Sequence, residues 1–151
     1  ASALNVDHTT IPLVHVSLNI AVTGKTGAGK SSFINHPGMP NVKIWDLPGI
    51  GSPTFKANKF LKDVNFKIYD FFIILNSERF MENDVMLAKE IRKQKKNFYF
   101  VRSKIDNDIY AEQRNKGFDE LKLLAEIRED CQKNLKELGV FVCLYFGFHF
   151  V

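Results

Sequence analysis

The sequence predicts an α/β fold, a mostly parallel sheet with helices on both faces. Three observations predict it. Strand-type and helix-type runs alternate along the chain. The strand-type runs are continuously apolar, as in Phe71-Phe72-Ile73-Ile74-Leu75, which suits a sheet covered on both sides. A glycine-rich loop of the phosphate-binding pattern directly follows the first of them.

Taken in order, residues 1–17 contain Pro12 and mixed polarity and read as an irregular segment, and residues 18–151 read as one domain. A strand is predicted from Leu18 to Thr23. Gly24, Lys25, Thr26, Gly27, Ala28, Gly29, Lys30 and Ser31 then fit G-x-x-x-x-G-K-[ST]. The glycines let the backbone turn tightly and aim N–H groups at phosphate oxygens, Lys30 adds a mobile positive charge, and Ser31 offers a hydroxyl to magnesium. Lys25 is either a contact to phosphate or to a second protomer's nucleotide, or a solvent-facing loop residue, and Ser32 joins the nucleotide-binding candidates at the start of a short helix running from Lys30. Val42 to Trp45 reads as a short buried strand ending in Asp46-Leu47-Pro48-Gly49. That is D-x-x-G, with Asp46 a magnesium carboxylate at the strand's C-terminal edge and Gly49 a sensor of the γ-phosphate. A third strand is expected from Tyr69 to Leu75, then a helix from Asn83 to Gln94. The cluster Arg92-Lys93-Gln94-Lys95-Lys96 at its end reads as a solvated last turn favoured by the helix dipole, not as a nucleic-acid or lipid patch.

The strand Phe98 to Arg102 leads into Ser103-Lys104-Ile105-Asp106, which resembles the N/T-K-x-D base-reading motif. A carboxylate at Asp106 can accept from N1–H and the 2-amino group of guanine, donors that adenine does not offer there. The Lys104 stem can lie along the purine face, while Ser103 stands where many such proteins have Asn. After Gly117, apolar residues Leu121, Leu124, Ile127, Cys131, Leu135 and Leu138 recur at helical spacing and read as a packing stripe, with Gly139 as the stop. The three motifs in this order define the expected architecture as a P-loop NTPase G domain that binds GTP or GDP with Mg2+.

Composition agrees. At 151 residues and 45% apolar content the chain can bury one sizeable core, which excludes disordered and fibrous classes. The net charge of +4 is scattered, so no nucleic-acid partner is expected. No apolar run approaches the ~20 residues of a membrane-spanning helix, so any membrane contact is expected to be peripheral. Cys131 and Cys143 have no metal-type spacing and are expected to be reduced thiols in a cytoplasmic setting, Cys131 in the core. His8, His15, His36 and His149 show no ligand spacing. The chain begins at Ala1 and is expected to derive from a longer product, and Val140 to Val151 reads as a buried strand with a ragged end.

From about Leu18 to Gly139 the chain resembles the interferon-inducible, immunity-related GTPases. The resemblance is carried by Leu18-Asn19-Ile20-Ala21-Val22-Thr23-Gly24, Trp45-Asp46-Leu47-Pro48-Gly49-Ile50-Gly51-Ser52, Tyr69-Asp70-Phe71-Phe72-Ile73-Ile74 and Phe98-Tyr99-Phe100-Val101-Arg102-Ser103-Lys104-Ile105-Asp106. The Trp before the D-x-x-G and the Tyr-Asp-Phe-Phe strand make it more specific than the phosphate loop alone. It implies nucleotide-gated self-assembly into a homo-oligomer, cell-autonomous defence at intracellular membranes, and a C-terminal helical domain that these residues do not include.

Three departures from the pattern stand out. Only His36-Pro37-Gly38-Met39-Pro40 separate Asn35 from Asn41, where such domains place the rest of the first helix, switch I and another strand. The join still exceeds the dozen or so residues a parallel crossover needs, so the nucleotide cradle is expected to survive without a switch I Thr. Ile50 occupies the position where small GTPases carry a water-orienting Gln, so intrinsic hydrolysis is expected to be slow. Val142-Cys143-Leu144-Tyr145-Phe146 stands in place of the expected strand and Ser-containing guanine loop. A non-hydrolysing nucleotide-binding interaction module, or a truncated isoform, is therefore the alternative to a working GTPase.

Overall fold

Apolar side chains of the strands cannot be satisfied on one side alone, because successive residues point to opposite faces. The computed structural model describes residues 17–34, 41–138 and 142–144 and shows how that demand is met. The elements run β1 Leu18–Gly24, α1 Lys30–Ile34, β2 Val42–Asp46, α2 Ala57–Asp63, β3 Phe71–Asn76, α3 Glu82–Lys93, β4 Asn97–Arg102, α4 Ile105–Glu112, α5 Glu120–Leu135 and β5 Val142–Leu144. All five strands are parallel, in the order β2-β1-β3-β4-β5.

The alternation sorts the core into two layers. On one face Ala21, Phe72, Ile74, Phe98 and Phe100 pack with Leu61 of α2, Leu87, Ala88 and Ile91 of α3, and Cys131 and Leu135 of α5. On the other, Val22, Leu75 and Val101 pack with Phe33 of α1. Helices thus cover both faces, as the apolar strands require. Burial pushes the Cys131 thiol up to about 11, so it is a core side chain and not a reactive one.

The residues that carried the family resemblance serve this framework. The Trp45 indole donates to the Asn19 amide oxygen at 3.1 Å and meets Tyr69 edge-on, with ring centroids 5.8 Å apart. The Asp70 carboxylate accepts from the Asn19 backbone N–H at 2.6 Å, and the Tyr69 hydroxyl donates to the Val64 carbonyl. These contacts tie β1, β2 and the approach to β3 together, away from the strand ends that carry the phosphate loop.

Several expectations are corrected. β2 is half-exposed rather than buried, because β1 is its one strand neighbour among the described residues. The segment at Tyr69 and Asp70 precedes β3 and follows a 3-10 turn at Phe66–Ile68. Helices α2 and α4 have no forerunner in the sequence reading, α2 being short and mostly polar and α4 beginning inside the Ser103 to Asp106 motif. The stripe on α5 is only partly packing: Cys131 and Leu135 are buried, but Leu121 is 78% exposed. The basic run after α3 is structural as well as solvated. Lys95 takes a left-handed conformation, the N–H groups of Lys95 and Lys96 bond the carbonyls of Arg92 and Ile91, and the Lys96 ammonium reaches the Tyr69 carbonyl at 2.8 Å. A strand does form at Val142–Leu144, in register with β4. The segment 1–16, the join at 35–40, all four histidines and the Cys143 side chain lie outside the described residues.

The uneven burial of α5 sets a test. Leu135→Ala is expected to cost about 2–5 kcal/mol, and Leu121→Ala no more than about 0.5 kcal/mol, in urea unfolding. Equal costs would mean that the first turns of α5 are packed after all.

Candidate phosphate-loop site

In an open parallel sheet, loops at the C-terminal strand ends converge on one edge. Here that edge collects the Gly24–Ser31 loop after β1, Asp46–Gly49 after β2 and Ser103–Asp106 after β4. Gly24 is fixed by sterics: a Cβ there would lie 2.0 Å from the Leu75 carbonyl oxygen of β3. Gly27 and Gly29 have φ of +84° and +87°, the left-handed conformations that turn the loop into α1. The Ala28 N–H donates to the Lys25 carbonyl and the Phe33 N–H to the Gly29 carbonyl, which closes the loop onto the helix. Ser31 and Ser32 are exposed in the first turn of α1.

The Asp46 to Gly49 segment is held against this loop from several directions. The Leu47 N–H donates to the Val22 carbonyl at 2.9 Å, the buried Thr23 hydroxyl donates to the Pro48 carbonyl at 2.8 Å, and the Ile50 N–H reaches the Gly24 carbonyl at 3.3 Å. Leu47 and Ile50 are sunk in the core, while Asp46, Pro48 and Gly49 face outward. The Lys30 ammonium spans the two loops, donating to the Leu47 carbonyl at 2.8 Å and lying 3.5 Å from the Asp46 carboxylate. A Cβ on Gly49 would sit 3.3 Å from both the Gly24 carbonyl and the Thr26 hydroxyl, so the two loops are in close approach.

The third segment is locked to the first. The Ser103 hydroxyl, buried, donates to the Ala28 carbonyl at 2.5 Å. Ser103 is therefore a bridge to the phosphate loop and not only a substitute for Asn. Lys104 holds a left-handed φ of 57°, and its Cε lies 3.8 Å from where a Cβ of Gly29 would be. Its stem consequently runs over the phosphate loop. Asp106 is exposed in the first turn of α4.

The Ser31 hydroxyl and Asp46 carboxylate are hard oxygen donors, and magnesium completes a set of that kind with phosphate oxygens and water. Among the described residues no cluster of three or more His, Cys, Asp or Glu could cage a metal by itself. Oxygen donors of this kind suit Mg2+ brought with a phosphate ligand.

Two residues that sequence reasoning missed support the second segment. The Asn83 amide of α3 donates to the Ile50 and Ser52 carbonyls, at 2.6 and 2.9 Å. Asp84 beside it is buried and accepts from the Asn76 amide at 2.8 Å and the Met81 N–H at 2.9 Å, so it caps α3. These groups border a cavity of about 270 Å³ between Lys25, Ile50, Gly51 and the start of α3. The only signal in the sequence was an Asn-Asp pair at a helix start, a common capping pattern.

Together the fold and these three joined segments define a P-loop G domain. Its backbone is similar to the crystal structure of the G domain of the T. maritima FeoB iron transporter, with a TM-score of 0.54, 20% identity, and coverage of 86% of this chain and 87% of that one. The chain belongs to the interferon-inducible GTPase family: the family profile described as "Interferon-inducible GTPase (IIGP)" matches residues 35–146. It is 46% identical over 149 positions to mouse "Interferon-gamma-inducible GTPase 10", covering 79% of this chain and 36% of that protein. It is 44% identical over 153 positions to mouse "Interferon-inducible GTPase 1", covering 82% and 37%. The chain thus spans little more than a third of these relatives. In both comparisons the aligned stretch is longer than the matched share of the 151 residues, so the relatives carry residues within it that this chain lacks.

Asp84 supplies a pH signature. Burial raises its carboxyl above the ordinary value, outweighing the lowering by the Met81 N–H, the Asn76 amide and the Lys25 charge. A carboxyl raised on folding favours the fold below its unfolded pKa, and that contribution is lost as pH rises through the folded value. Wild type is therefore expected to lose stability relative to Asp84→Asn as pH rises above the ordinary carboxyl range, as read by urea unfolding of both proteins. A constant gap over that rise would contradict the burial account.

Proposed function

We propose that this chain is a guanine-nucleotide-binding domain with slow intrinsic GTP hydrolysis. The observation that carries the reading is the junction of base loop and phosphate loop, made by the Ser103 hydroxyl on the Ala28 carbonyl and the Lys104 stem over Gly29. A purine held at Asp106 then has its phosphates within reach of Gly24 to Ser31. Lys30 neutralises β- and γ-phosphate charge, the loop N–H groups cradle the phosphates, and Gly49 donates to the γ-phosphate. Ser31 and Asp46 would hold magnesium, which would supply positive charge against that developing on the phosphates.

The reactive water is less well served. Ile50 is 1% exposed and packed among core residues, so its side chain neither reaches nor polarises a water at the γ-phosphate. The same observation suits a second reading, a module that binds nucleotide without turning it over. Relatives bear the name GTPase, and in the family setting we propose that nucleotide gates self-assembly of the longer protein, cytoplasmic and peripheral on intracellular membranes, in cell-autonomous defence. No described helix is long and apolar enough to cross a membrane.

Titration with GDP and ADP tests the base assignment: GDP is expected to bind the tighter, and Asp106→Asn to shift preference toward xanthosine diphosphate. Equal affinity for GDP and ADP in wild type would defeat it. Phosphate release over a range of protein concentrations tests turnover, which is expected to be near background when dilute. Fast release from dilute protein would refute the slow-hydrolysis reading, and a steep rise with concentration would support activation by assembly.

A further inference from the structure

Arg102 ends β4 at a position where a strand residue ordinarily buries an apolar side chain, yet it is only 6% exposed and charged. Its guanidinium makes two fixed contacts. One amino group donates to the Ser103 carbonyl at 2.6 Å, and the other donates to the Asp108 carboxylate at 2.9 Å. Ser103 opens the turn that carries the base-reading motif, and Asp108 lies in the first turn of α4 just past Asp106. A single planar cation therefore clamps both ends of the segment that presents Asp106, with the rigid fork that suits such a role.

The electrostatics point the same way. Burial raises the Asp108 carboxyl above its ordinary value, the Arg102 charge and hydrogen bond lower it, and Asp106 and Glu112 on the same short helix add smaller raising contributions. Arg102 is the cation in contact with that group. The Cys131 thiol on α5 also feels the Arg102 charge and is otherwise core. Phe100 and Val101 beside it lie one in each of the two core layers.

We infer that Arg102 is a positioning residue for base recognition: by bridging the Ser103 carbonyl and the Asp108 carboxylate it holds the Asp106 carboxylate in the one orientation that meets the guanine edge. The inference rests on the proposed role of Asp106 and adds to it a residue outside the four-position motif. Discrimination between guanine and adenine then depends on Arg102, while phosphate binding does not.

The test is calorimetric titration of wild type, Arg102→Met, Arg102→Lys, Asp106→Ala and the Arg102→Met/Asp106→Ala pair with GDP and with ADP, each in magnesium. Arg102→Met is expected to weaken GDP at least about tenfold, the lower end of what removal of an orienting partner costs a metal ligand. ADP affinity should hold. Arg102→Lys keeps the charge but not the fork and should fall between, which covers the case of a poorly folded Met variant. In the Asp106→Ala background, Arg102→Met should have no further effect on GDP, because the two act as one unit. If wild type fails to prefer GDP, the base assignment falls and this inference with it. If wild type prefers GDP and both Arg102 variants keep its ratio to ADP, or weaken GDP and ADP alike, the positioning role alone is overturned.

Discussion

The approach of β1 to β3 at Gly24 is the constraint on which the site depends. The Gly24 position has no room for a side chain because the Leu75 carbonyl of β3 occupies it. That contact exists because β1 and β3 pair in parallel with Gly24 opposite Leu75. Sheet register and the mouth of the phosphate loop are thus one decision. The loop leaves the sheet where the strand can no longer carry a Cβ, and its later glycines complete the turn into α1.

From that edge the remaining parts are tied on by short polar links and buried apolar anchors. Leu47 and Ile50 sink into the core on either side of Pro48 and Gly49, so the D-x-x-G segment is fixed by packing as well as by its bonds to Val22, Thr23 and Gly24. The same anchoring leaves Asp46 and Gly49 facing outward and turns the Ile50 side chain inward, into the core.

The polar interior follows the same economy. Among the described residues no buried side-chain nitrogen or oxygen lacks a partner. Asn76, Asp84 and Asn83 form a chain of amides and a carboxylate from the end of β3 through the start of α3 to the Ile50 and Ser52 carbonyls. Arg102 and Asp108 do a similar task at the end of β4. Both networks lie behind the functional loops, where an unpaired polar atom would be costly and a paired one fixes geometry.

The sequence by itself determined the class of fold and the three loop motifs, because apolar runs and glycine spacings are local statements about burial and backbone freedom. It also placed α3 to within a residue or so at either end, since a charged last turn and an apolar period mark a helix without reference to neighbours. What it left open was set by tertiary structure. Leu121 and Leu135 share one helical stripe, yet only the second is buried, packed in the core cluster with the sheet residues. Ser103 read as a weakened Asn until the phosphate loop came within hydrogen-bond distance from 75 residues away. Asn83 and Asp84 show in the sequence only a common capping pattern, Arg102 and Asp108 flank the base-reading motif without belonging to it, and their contacts arise only when strand ends and helix starts are brought side by side. Periodicity reports which side of an element is apolar; which polar atoms then face one another is decided by the packing of elements distant in the chain.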